Sequence, residues 1–104
     1  NHTYIIRGDV HRANPSLARD LYAAFVAAKN WAQTQLLERI PEALIFGPEY
    51  LAMTEKIFGD DPFPYGIKAN LAMLDTVIGF SHEQALTPHR MKIEELFAAE
   101  TLDT

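Results

Sequence analysis

Apolar residues recur at helical spacing along most of the chain. Leu17, Leu21, Phe25, Ala28, Trp31 with Ala32, and Leu36 form one stripe, and Arg19, Lys29, Gln33 and Glu38 lie opposite it. This pattern predicts a single amphipathic helix from about Pro15 to Arg39, opened by Asn14 as N-cap and ended by Pro41. A second helical stretch covers Glu42 to Phe58, broken at Gly47-Pro48, where Pro48 restarts it, and closed by Gly59. A third runs from Asn70 as N-cap to about Ala85, with Leu71, Leu74, Val77, Ile78 and Phe80 as its apolar side. Ile93 to Phe97 makes a last helical turn. Only Thr3-Tyr4-Ile5-Ile6-Arg7, β-branched and aromatic up to Gly8-Asp9, reads as a strand. A lone strand leaves its ladder groups unpaired, so its partners are expected outside these residues.

Composition narrows the class. The 104 residues make one domain rather than two, with 48% hydrophobic and 22% charged residues, ordinary values for a globular chain. No apolar run approaches the ~18–20 residues of a membrane helix. The chain has no cysteine, which excludes a disulfide scaffold and thiolate metal sites. A net charge of −5 without a basic stripe argues against nucleic acid as a partner. Glu94, Glu95, Glu100 and Asp103 crowd the last residues and read as a solvated acidic tail, and Arg12, Arg19 and Arg90 read as surface. The opening Asn1-His2-Thr3, with no Met and no secretory pattern, reads as a processed end or a cut in something longer.

Short motifs carry little. His82-Glu83 starts like a zinc-protease HExxH, but Leu86 stands where the second histidine belongs. His82 and His89 are separated by Pro88 and share no helix face, so no metal is expected. Asp60-Asp61 lacks the alternating acids of a calcium loop, and neither Ser16 nor Ser81 sits in a nucleophile elbow. The tripeptide Arg7-Gly8-Asp9 and the sequon Asn1-His2-Thr3 are read as chance. His2 stands apart by position, at the start of the one strand, where an α/β fold opens its crevice.

Taken in order, several stretches resemble the C-terminal part of the 4,5-dihydroxyphthalate decarboxylase family. They are His2 to Val10, Asn14-Pro15, Leu21 to Phe25, Gly59-Asp60-Asp61, Pro64-Tyr65-Gly66-Ile67, Asn70, Ser81 to Leu86 and Ile93 to Leu102. Two positions depart from the pattern. Ala85 stands where glycine is expected and reads as a simple extension of the helix; Phe63 stands where tryptophan is expected. The resemblance implies a mainly α segment, residues 1–104 as one unit, belonging to an α/β bilobed periplasmic-binding-protein-like fold of the second type. Thr3 to Arg7 would then be a hinge strand pairing with an N-terminal remainder of the same protein.

The implied activity is cofactor-free decarboxylation of a hydroxylated aromatic carboxylate by a cytoplasmic enzyme, with this segment alone inactive. Its chemistry needs a general acid at the ring carbon that loses carbon dioxide. His2 is the first candidate for that proton donor; Tyr65 and His82 are candidates for substrate contact. Two other readings stay open: a solute-binding protein of the same fold for a small anion, and a free-standing helical interaction module. Helices with uncovered apolar faces also make a homo-oligomer an expectation.

Overall fold

The computed structural model describes residues 2–104, apart from the side chains of residues 36–43. Five α-helices follow one another: α1 (Gly8–Ala13), α2 (Leu17–Ala43), α3 (Gly47–Phe58), α4 (Leu71–Glu83) and α5 (Ile93–Leu96), with 3-10 turns at Lys68–Asn70 and Ala99–Thr101. The chain is therefore mainly helical, as its periodicity predicts. No helix among the described residues is long and apolar enough to cross a membrane.

The expected strand does not form. Residues 2–7 adopt no regular element, and Tyr4 and Ile5 are exposed. Among the described residues no second strand offers the ladder bonds that β-prone side chains cannot supply themselves. The chain instead turns helical at Gly8. Arg7 is extended at the N-cap, its carbonyl accepts from the His11 amide at 3.0 Å, and Asp9 sits favourably in the first turn. Arg7 and Asp9 also pair with each other at 2.6 Å, so the tripeptide engages itself.

Helix ends moved where capping chemistry overrode the pattern. Asn14 closes α1 rather than opening α2: its amide and its Nδ2 both donate to the Val10 carbonyl at 3.1 Å. Helix α2 begins after Ser16, whose carbonyl accepts from the Asp20 amide and whose hydroxyl donates to the Asp20 carboxylate. The helix continues past Pro41 to Ala43. Leu36 and Glu38 of the predicted faces, and the sequon's Asn1, lie outside what is described. Trp31, assigned to the buried stripe, is 67% exposed, whereas the Lys29 side chain, assigned to the solvated face, is only 13% exposed.

The stretch read from Glu42 is divided: α2 runs on to Ala43 and α3 begins at Gly47, with Pro48 in its first turn, and stops as read, Gly59 at φ +71 donating its amide to the Glu55 carbonyl at 2.8 Å. Helix α4 corrects the reading of Ala85. The helix ends at Glu83, and Ala85 takes φ +56, in the left-handed region. The Leu86 amide donates to the Ser81 carbonyl and the Ala85 amide to the His82 carbonyl, both at 2.9 Å, which is a Schellman closure. Alanine occupies the position glycine suits best.

The chain forms two compact units. One comprises the residues up to Ala23 with Tyr65–Thr104; the other is Ala24–Pro64. In the first, Ala18, Ile67 and Ile78 are the buried apolar residues, and polar links join distant segments. The supposed acidic tail supplies them. Glu100 meets His11 Nε2 at 2.6 Å, and because a carboxylate only accepts, that nitrogen carries the proton. Asp103 pairs with Arg19 at 2.7 Å, and Glu95 accepts from the Lys92 amide at 2.7 Å and bonds His89 at 3.1 Å. Arg90 pairs with Asp75 across Gly79, where a Cβ would meet the guanidinium at 3.2 Å. The Thr104 carbonyl accepts from the Lys68 amide at 2.8 Å beside Gly66, whose φ is +97. A Cβ on Gly66 would stand 2.9 Å from the Thr104 carbonyl carbon, so glycine is required twice over.

Two outcomes follow. Ala85→Gly should stabilise the protein by about 1 kcal/mol, the left-handed penalty of ~1–2 kcal/mol less the greater entropy of glycine in the unfolded chain. Thermal unfolding monitored by circular dichroism checks it, and no gain would mean Ala85 is unstrained. Second, the His11 contact, with backbone help, holds the Glu100 carboxyl below its usual range. A carboxyl with a lowered folded value stabilises above its unfolded value and loses that contribution as pH falls through the folded one. The Tm gap between the wild type and Glu100→Gln should thus be largest near neutrality and close below roughly pH 4.

Candidate functional site

Within the unit Ala24–Pro64, the loop after α3 is built by two anchors. Gly59 reverses the chain at a φ that side chains rarely adopt, with open space where its Cβ would be. Lys29 of α2 then holds the far end. Its Nζ donates to Asp61 Oδ2 at 2.6 Å and to the Phe63 carbonyl at 2.7 Å, while Asp61 Oδ1 accepts from the Phe63 amide at 3.1 Å. The lysine contact, foremost, and the Phe63 amide hold the Asp61 carboxyl below its usual range. The loop Gly59–Pro64 is thereby tied to α2, which explains why Lys29 turns away from solvent.

The product is a cleft of about 370 Å³ lined by Gln33 of α2, by Leu51, Thr54 and Glu55 of α3, and by Gly59, Asp60 and Pro62 of the loop. Its lining is mostly apolar and includes two acids, Glu55 and Asp60. The Thr54 hydroxyl donates to the Tyr50 carbonyl at 2.8 Å, leaving its oxygen as an acceptor. Glu55 and Asp60 add acceptors, and Gln33 supplies an amide. With no cation among the described residues of its lining, such a cleft favours a hydrogen-bond donor or a positively charged group and repels a carboxylate. No group of three or more potential ligands among the described residues could hold a metal ion.

A smaller cavity of about 110 Å³ lies in the other unit, walled by Val77, Ile78, Ser81, Thr87, Met91 and Leu96. The Ser81 hydroxyl donates to the Val77 carbonyl at 2.8 Å, so it is not poised as a nucleophile. The Thr87 hydroxyl is buried without a hydrogen-bond partner among the described residues, an unpaired polar atom in a mainly apolar wall.

The three residues singled out from the sequence line neither cavity. His2 is exposed in the irregular residues before α1. Tyr65 is 43% exposed beside Gly66. His82 is exposed on the last turn of α4, where its carbonyl serves the helix closure. All three belong to the same unit. The residues that sequence reading missed are Thr54, Glu55 and Lys29. Their signal was the loop Gly59-Asp60-Asp61-Pro62, two acids between a helix stop and a proline, which needed a cation to hold it.

Lys29→Met should loosen the loop at a cost of about 1 kcal/mol, the upper end for a partly exposed ion pair, with faster proteolysis between Gly59 and Pro64 as the readout. Unchanged cleavage would mean the loop is held by its backbone alone. Comparison with protein-family models, with curated proteins and with solved structures finds no match.

Proposed function

We propose that the chain is the helical C-terminal part of a decarboxylase acting on hydroxylated aromatic carboxylates, of the 4,5-dihydroxyphthalate decarboxylase type. One observation carries the reading. Stretches of the family resemblance coincide with backbone positions that only a glycine-like residue serves well: Gly59 at φ +71, Gly66 at φ +97 and Ala85 at φ +56. The last is the most telling, because Ala85 stands where the family pattern expects glycine and itself takes the left-handed conformation that favours glycine.

The chemistry is balanced without an outside reactant. The bond from ring carbon to carboxylate breaks, its electron pair stays on the ring carbon, and carbon dioxide leaves. A general acid then gives a proton to that carbon, forming the C–H bond. His2 is proposed as the acid. Its place in an irregular exposed segment suits a residue that reaches a crevice formed with other parts of a bilobed, cytoplasmic protein. Tyr65 and His82 are proposed to contact the substrate. The cleft of the Ala24–Pro64 unit, with Glu55 and Asp60 as the charged groups among its described lining residues, is the wrong sign for a dicarboxylate, so anion binding belongs elsewhere.

The protein as its gene encodes it, incubated with 4,5-dihydroxyphthalate and related dihydroxylated acids, should release carbon dioxide at a rate His2→Ala lowers by at least ~10²-fold. No release from any of them overturns the reading; release unaffected by His2→Ala removes His2 from the proton transfer. Saturable binding without turnover would instead make the protein a solute-binding member of the same fold.

A further inference from the structure

Helix α3 presents a second face, away from the cleft that Leu51, Thr54 and Glu55 line. Phe46 at its N-cap, Tyr50, Met53 and Ile57 are spaced four, three and four residues apart and fall within one narrow stripe at ~100° per residue. They are exposed by 62%, 59%, 58% and 62% respectively. Four large apolar side chains aligned on one helix and equally open to water are not scattered surface residues. Glu49 and Lys56 flank the stripe on the same side, seven residues apart, and neither forms an ion pair among the described residues.

We propose that this stripe is a self-association surface on which α3 of a second copy packs antiparallel. The 4-3-4 spacing reads the same in both directions. About a two-fold axis between residues 51 and 52, Phe46 opposes the second copy's Ile57, and Tyr50 opposes its Met53. The same operation leaves the charged flank on its own side. Glu49 then lies within about 3 Å, along the helix axis, of the second copy's Lys56, while the two Glu49 residues stand about 7.5 Å apart. Each dimer gains two such pairs. A parallel pair gives no equivalent, because its two-fold axis carries the charged flanks to opposite sides. The stripe is thus complementary in shape and in charge to itself, which an isologous interface demands. The contact is one helix long and small by the standard of stable interfaces, so association is expected in the micromolar range. This proposal does not depend on the decarboxylase reading.

Sedimentation velocity on the gene-encoded protein, from about 1 to 100 μM, reads it directly. A concentration-dependent monomer–dimer equilibrium is expected, abolished by Met53→Glu with helical circular dichroism unchanged. Glu49→Lys alone, and Lys56→Glu alone, should each weaken the dimer by about fivefold, the worth of two exposed pairs, and the double exchange should restore it. A monomer at every concentration, or a dimer indifferent to Met53→Glu, overturns the proposal. Single exchanges that weaken without rescue by the double overturn the antiparallel arrangement.

Discussion

The bond from the Lys68 amide to the Thr104 carbonyl joins two segments of the larger unit that are far apart in sequence. It exists because Gly66 has no side chain: at φ +97 the turn can approach the end of the chain to a distance no Cβ would tolerate. In the same unit Glu100 pairs with His11, and Asp103 with Arg19. Acidic residues that look like a solvated tail therefore become ties between the two ends of the sequence.

These ties matter because apolar burial is scarce. Ala18, Ile67 and Ile78 are the buried hydrophobic residues among those described, and all belong to the same unit. Half-exposed charged pairs contribute little individually, so a fold held this way is tuned by pH and by backbone strain more than by a deep core. The left-handed Ala85 is one such strain, retained at a helix closure that still makes both of its hydrogen bonds.

In the Ala24–Pro64 unit the organising group is a cation. Lys29 binds a carboxylate and a carbonyl of the loop that Gly59 begins, and the cleft beneath that loop follows from the pair. Helix α3 serves two roles through two faces. Leu51, Thr54 and Glu55 look into the cleft, while Tyr50, Met53 and Ile57 remain open for a partner.

Much of this was readable without coordinates. Period-3.6 apolar spacing located α2, α3 and α4, and Pro48, Gly59 and Asn70 marked ends correctly, because those signals act through local sterics and hydrogen bonds. The errors came where a distant or competing partner decides. Thr3 to Arg7 has β-prone side chains but finds no ladder among the described residues; Asn14 could cap forward or backward, and its bonds to Val10 settled the matter. Lys29 looked solvated on a helical wheel and is turned inward by an aspartate thirty-two residues away, while Trp31, placed on the buried stripe, is left mostly exposed. The cleft was not legible for the same reason, since Gln33, Thr54 and Asp60 share no motif. The sequence by itself determined helices and their stops. Only the tertiary structure decided which charges pair and which apolar faces stay uncovered, because both depend on contacts between residues far apart in the chain.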